Sequence, residues 1–278
     1  MLLAYILYKE DVASIMSVAL GVETYHNYTL LHDDVMDRAE VRRGKPCVHK
    51  VWDDNTAILS GDSMLVLAYQ RVAQCSPSLL PQVIELFTQT ALEIGEGQQF
   101  DLDFENRTDV TESEYIEMIR LKTSVLLAAS LQIGAVQGGA SPEDARLLYD
   151  FGVQLGLAFQ LQDDYLDVYG DPAIFGKKVG GDILCNKKTY MLINALQRAD
   201  EKQRAELDRW IAAVDYVPEE KVRAVTALYD AIGIKEVCHR KIESYFQAAE
   251  ACLDKVSVEE SRKLELRNFA LSLMGRKV

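Results

Sequence analysis

The chain is poor in the residues that build covalent or soft-metal sites, with only five cysteines and four histidines in 278 residues. Cys47, Cys75, Cys185, Cys238 and Cys252 are odd in number and far apart, with no CxxC or Cys/His ligand spacing. That excludes a disulfide framework or a zinc site and predicts reduced thiols in a cytoplasm. Positive charge is scarce too. The 30 lysines and arginines against 43 aspartates and glutamates leave a net charge of −13, so the basic excess needed to bind nucleic acid or an anionic membrane nonspecifically is missing. No long run is purely apolar: SVLLAASLQIGAVQGGA from Ser124 carries Gln132 and Gln137 and many small residues, which suits an internal helix better than a bilayer span. The opening MLLAYILYKED has no basic n-region and runs straight into acidic residues, so no secretory signal is expected. Prolines number six, and Pro46, Pro81, Pro172 and Pro218 fall at joints.

What remains is 49% apolar and 26% charged, enough for one large core or two modest ones. Apolar residues recur at three and four positions through ASIMSVALGVETYHNYTLL, TESEYIEMIRLKTSVLLAASLQIGAV and SPEDARLLYDFGVQLGLAFQLQDDYLDVYG, the period of helices. Thr111 with Glu114, and Ser141 with Glu143 and Asp144, read as helix caps followed by first-turn acids, with Pro142 where its missing N–H costs nothing. No segment alternates as a strand should. An all-α fold without a domain boundary is therefore expected, a single domain over residues 1–278.

One pattern occurs twice. HDDVMD from His32 and QDDYLD from Gln162 carry the same DDxxD, each at the C-terminal end of a long helical run. Aspartates at i and i+4 point the same way and repel unless a cation lies between them. Both follow uncharged runs, NYTLL and FGVQLGLAFQLQ, that should face a core, and carboxylates at the mouth of an apolar cavity are costly unless they hold metal. Oxygen-only ligands favour a hard ion such as Mg²⁺, which is normally completed by waters and substrate phosphates. Cations suited to a diphosphate follow each motif: Arg42 and Arg43 in RAEVRRGKP, and Lys177, Lys178, Lys187 and Lys188 in GKKVGGDILCNKKT.

With these residues the sequence resembles the trans-type isoprenyl diphosphate synthases, the polyprenyl synthetases. The resemblance covers nearly the whole chain and rests on an ordered set: DDVMD with RRG, GQQFD from Gly97, KT at Lys122, FQLQDDYLD from Phe159, and GKKVGGD with a following Lys187. It implies the isoprenoid synthase fold, an all-α bundle of about ten or more helices around a central apolar cavity. By position it implies that Asp33, Asp37, Asp163, Asp167 and Asp182 bind Mg²⁺, with Asp34 and Asp164 in support. Arg42, Lys122, Lys177 and Lys187 would hold the allylic diphosphate, while Arg43 and His26 match positions that bind isopentenyl diphosphate. Gln98 would be a further substrate contact, and Thr123, Gln160 and Tyr190 would line the region near the developing cation. The two acid-bearing helix ends are expected to face each other across the hollow. The implied chemistry is ionisation of the allylic diphosphate, condensation with isopentenyl diphosphate, and loss of a proton, in a homodimer to which residues 84–95 and 124–136 could supply the interface.

Tyr28 and Tyr25 lie roughly 7.5 and 12 Å along the helix before Asp33, at about 1.5 Å per residue. As a floor to the product cavity they point to a C15 to C20 product, the second ring leaning toward C15; the competing reading is that both simply pack on a neighbouring helix. Family members also carry a Gly-Lys-x-x-Arg-Pro segment on an early helix, which this sequence lacks. Either the start of the sequence is mis-assigned or cut short, or, if it is native as written, condensation with isopentenyl diphosphate is expected to be impaired, with metal and allylic diphosphate binding less affected. Two alternatives stay open: a class I terpene cyclase, which usually replaces the second DDxxD, and a non-catalytic or impaired partner subunit, which typically loses acidic residues that are intact here.

Overall fold

The computed structural model describes residues 1–171 and 179–275. The chain folds as two compact units, Met1–Gln89 with Ala129–Arg146, and Thr90–Ala128 with Leu147–Val278.

In the first unit a short helix α1 (Leu2–Tyr5) and a 3₁₀ turn (Val12–Ile15) lead into α2 (Met16–Met36). Asp11 caps the turn, its carboxylate accepting from the Ala13 N–H at 3.0 Å. A tight hairpin, β1 (Val41–Arg42) with β2 (Lys45–Pro46), and a one-turn helix α3 (Val48–Val51) connect α2 to α4 (Asp54–Val72). This hairpin is the one departure from the strand-free expectation among the described residues. Two-residue strands offer no alternation to read, and the hairpin exists because Arg43 (φ 52°) and Gly44 (φ 75°) both take left-handed conformations in the turn. The helices α2 and α4 pack together with a glycine on each side. A Cβ on Gly21 would lie 2.8 Å from Val72 Cγ2, and one on Gly61 would lie 2.3 Å from His32 Nε2. The register of those approaches makes the pair antiparallel. Tyr5, Ile15, Val18, Tyr25 and Phe87 are fully buried in this unit.

The helix α5 (Leu80–Glu105) is followed by α6 (Glu112–Ile119), which opens on the capping box expected at Thr111 and Glu114. The expected continuous helix over residues 111–136 is interrupted: Arg120–Ser124 forms a π turn before α7 (Val125–Gly138). Such a turn carries an extra residue, but the residues on both sides are so densely apolar that the shift in phase leaves no visible break, and the sequence hides it. The stretch Glu112–Gly138 is long and apolar enough to cross a membrane by composition, but 56% of its most apolar 18-residue window is buried within the chain, as in a core helix. Next comes α8 (Pro142–Tyr169), whose Asp144 N–H donates to Ser141 Oγ at 3.1 Å as the cap expectation required.

The second unit continues with α9 (Gly181–Leu184), α10 (Tyr190–Arg198), α11 (Glu201–Ala212), α12 (Pro218–Ile232), α13 (Ile234–Lys255) and α14 (Glu260–Met274). Gly233, at φ 80°, turns the corner between α12 and α13. The unit's core gathers Phe104, Tyr115, Leu161, Tyr229 and Ile234. Of the two stretches expected at an interface between copies, residues 124–136 are buried or half-buried within the chain, and in residues 84–95 Leu92 is 60% exposed.

Candidate active site

Three aspartates close α2, where the helix dipole is negative and the last turn has no basic residue. The cation comes from the hairpin. Arg42 Nε donates to Asp34 Oδ1 at 2.8 Å, and its Nη2 lies 2.7 Å from Asp34 Oδ1 and 3.3 Å from Asp33 Oδ2. Asp34 is 4% exposed, whereas Asp33 is half-buried and Asp37 is exposed. Burial and the neighbouring Asp34 carboxylate push the Cys47 thiol up, which keeps it protonated beside that pair. Arg43 is exposed at the hairpin tip, clear of Arg42's ion pairs. His32 is anchored by Ile58 O at 3.0 Å and fills the notch over Gly61.

Upstream on α2 the rings form a ladder toward Asp33. Tyr25 and Tyr28 have centroids 5.4 Å apart, and Tyr28 meets His32 at 4.7 Å. Tyr25 is buried and packs edge-on to Phe87 at 5.2 Å, so the neighbouring-helix contact exists for that ring. Tyr28 is half-buried, as is His26, whose Nδ1 lies 3.9 Å from Glu23 Oε2.

The second motif repeats the division. Asp164 is 5% exposed, while Asp163 and Asp167 are half-buried near the end of α8. The partners of Asp164 are neutral: the Tyr115 hydroxyl donates to Oδ2, and Gln160 Nε2 donates to Oδ1 at 3.1 Å. Burial, then the nearby Asp182 carboxylate, push Asp164 well above the usual carboxylate range against the opposing pull of Lys187. Burial and Asp164 hold the Tyr115 phenol far above its ordinary value, so it acts as a donor. Asp182 opens α9, and its N–H donates to Asp167 Oδ2 at 2.9 Å. Gln160 Oε1 accepts from Thr123 Oγ1 at 3.1 Å, and Tyr190 is buried at the start of α10.

Two of the predicted phosphate-binding lysines converge on a residue the sequence did not single out. Asp101, on α5, lies 2.6 Å from Lys122 Nζ and 4.0 Å from Lys187 Nζ. Burial would raise its carboxyl, but Lys187 and Lys122 outweigh that and hold it below the usual range. The π turn bearing Lys122 lies flush on α5 at Gly97, where a Cβ would come within 2.4 Å of the Lys122 backbone nitrogen. Gln98 follows, half-buried. Asp101 ends the GQQFD stretch, which was its only signal in the sequence; Tyr115 left none. Lys177 lies outside the described residues.

The donor set fits a hard divalent cation. The open groups are carboxylates alone, and among the described residues no three His, Cys, Asp or Glu side chains close on one another tightly enough to hold an ion unaided. An ion bound here would need oxygens from a ligand and from water to complete its shell, which is the habit of Mg²⁺.

An all-α chain with two such acidic helix ends, each attended by cations, defines a diphosphate-handling protein, and the comparisons make the class specific: the chain belongs to the polyprenyl synthetase family, whose family model matches residues 1–230. It is 38% identical over 254 residues to a short chain isoprenyl diphosphate synthase of Methanothermobacter thermautotrophicus, covering 91% of this chain and 77% of that one. It is 34% identical to a geranylfarnesyl diphosphate synthase of Aeropyrum pernix, over 97% of this chain and 85% of the relative. A crystal structure of a geranylgeranyl pyrophosphate synthase superposes with a TM-score of 0.94 at 44% identity, covering 100% of this chain and 86% of that one.

Proposed function

We propose that this protein is a trans-prenyltransferase that joins isopentenyl diphosphate to an allylic diphosphate and releases an all-trans prenyl diphosphate of short chain length. The observation that carries the reading is the division within each DDxxD: the middle aspartate is buried on hydrogen bonds, while the outer two stay half-buried or exposed, where a cation can reach them. Asp33 and Asp37, and Asp163, Asp167 and Asp182, are the residues that would hold Mg²⁺. When bound, the metal neutralises charge on the departing pyrophosphate and so lowers the barrier to ionisation.

The chain's own residues do the rest. Lys122 and Lys187 supply fixed positive charge where negative charge builds as the allylic C–O bond breaks, and Asp101 keeps both in place beforehand. Arg43 and His26 would bind isopentenyl diphosphate, whose double bond supplies the electron pair of the new C–C bond. The adduct then loses a proton, which the released pyrophosphate accepts. Thr123 and Gln160, bonded to each other, border the reacting carbons with groups that do not ionise. Tyr28 and Tyr25 led to an expected C15 to C20 product; the names of the similar synthases, geranylgeranyl and geranylfarnesyl, favour C20 to C25 instead, and the lean toward C15 is not kept. The protein would act as a cytoplasmic homodimer, with Leu92 covered; sedimentation of Leu92→Glu beside the parent tests this, and an unchanged dimer rules Leu92 out.

The deciding assay supplies Mg²⁺, labelled isopentenyl diphosphate and, in turn, dimethylallyl, geranyl or farnesyl diphosphate, with products sized after phosphatase treatment. Elongation to C20 or C25 is expected. Transfer absent with every primer would refute the reading, and a cyclised hydrocarbon would favour a terpene cyclase instead.

A further inference from the structure

We propose that Tyr115 is a positioning residue of this reaction: through the buried carboxylate of Asp164 it holds the turn that carries Lys122 in fixed register with the open aspartates of the second motif. The inference rests on the prenyltransferase reading for its catalytic consequence, though not for its geometry.

Tyr115 is 1% exposed in a core of apolar side chains. Phenylalanine would fill the same space with the same neighbours, so packing does not require the hydroxyl. A buried hydroxyl needs a hydrogen-bond partner, and this one finds Asp164, 49 positions away. From the other oxygen of Asp164 the chain of bonds continues through Gln160 to Thr123. The helix α6 therefore has one tether to α8 before the π turn, at Tyr115, and one within it, at Thr123. Lys122 lies between the two. A π turn is a weak point in a helix because its extra residue loosens the backbone ladder, and the tethers confine it where precision matters. On α8, Asp163 and Asp167 flank the tethered residue at one position before and three after, so gripping Asp164 also fixes the rotation at which they are presented.

The test compares the parent, Tyr115→Phe, Asp164→Asn and the double variant, each as the full chain. Melting temperature is read alone and with Mg²⁺ plus inorganic pyrophosphate; kcat, KM and the Mg²⁺ concentration for half-maximal rate are read with an allylic primer. Tyr115→Phe should melt within about 4 °C of the parent, yet lose at least half of the shift produced by Mg²⁺ and pyrophosphate. It should lose about tenfold or more in kcat, with KM for isopentenyl diphosphate within about twofold, and need severalfold more Mg²⁺. Adding it to Asp164→Asn should cost little more, since both remove one link. The proposal is overturned if Tyr115→Phe keeps the full pyrophosphate shift and its kcat, if the two losses multiply, or if the variant fails to fold, which would make the hydroxyl a structural requirement. A parent that shows the pyrophosphate shift but transfers no prenyl group would instead count against the prenyltransferase reading and leave the tether tested by the shift alone.

Discussion

The two DDxxD motifs are alike in sequence and differently supported. At the end of α2 the buried Asp34 is met by a full positive charge, Arg42, eight positions downstream on a hairpin. At the end of α8 the buried Asp164 is met by neutral donors, one from Gln160 a turn earlier and one from Tyr115, far away in sequence. The cations of the second unit are held on Asp101 instead. One motif is thus compensated locally by an ion pair. The other holds its buried carboxyl, pushed upward by burial and by Asp182, with neutral hydrogen-bond donors. A repeated motif does not imply a repeated environment, and the difference predicts different responses to the same mutation.

The sharpest test contrasts outer with middle aspartates. Asp33→Ala and Asp163→Ala should each reduce kcat on the order of 10²–10³-fold with the fold intact, because each would remove oxygens proposed to hold Mg²⁺. Asp34→Asn should cost distinctly less in steady-state rate. An Asp34→Asn variant as inactive as Asp33→Ala, with an unchanged melting temperature, would abolish the division between open and supporting carboxylates.

Next in size is the response to losing the clasp. Arg42→Met strands the buried Asp34 charge and should destabilise the fold by about 3 kcal/mol, read by denaturant unfolding, with much of the loss recovered when Asp34→Asn is added. Tyr115→Phe removes only a neutral donor, for about 1 kcal/mol. Equal losses at the two motifs would mean that the ion pair and the neutral bonds are interchangeable. Between these two losses falls Gly97→Ala. Its methyl meets the Lys122 backbone nitrogen, so the π turn must shift, at a cost of about 1–3 kcal/mol. The allylic KM should rise because Lys122 leaves Asp101; an unchanged KM would show that the close approach is not needed for binding.

Local features were legible in the sequence because their causes are local. The cap at Thr111 and Glu114, the cap at Ser141, and both acidic motifs are short patterns whose meaning lies within a turn of helix, and each appears where expected. The hairpin at residues 41–46 was missed because two left-handed residues, not a strand pattern, create it. The π turn was missed because its flanks are so densely apolar that the shift in phase leaves no visible break. Asp101 acts through Lys122 and Lys187, and Tyr115 through Asp164, all of them distant in the chain, and a single sequence does not show which distant side chains a fold will bring together.

The smallest expected effect concerns how the second motif's tether begins. Glu114 immediately precedes Tyr115 and closes the cap of α6, its carboxylate accepting from the Thr111 N–H and from Arg107 Nη1, both at 2.8 Å. The Thr111 backbone bond, followed by Arg107, holds this carboxyl down at about 2, against an ordinary 4.5. Because the folded value lies below the unfolded one, the contribution is present above pH 4.5 and is lost as pH falls toward 2. The side chain is 38% exposed, so solvent screening limits the gain to under about 1 kcal/mol. Glu114→Gln should therefore melt slightly below the parent at pH 7, and the gap should narrow as the pH is lowered past 4.5. A gap independent of pH would show that the cap works without its charge. Since α6 has only two turns before the π segment, fraying at its start also reaches Tyr115. The variant should thus weaken the response to Mg²⁺ and pyrophosphate slightly, whereas a cap change at Asp53, on α4 of the first unit, should leave it unaltered.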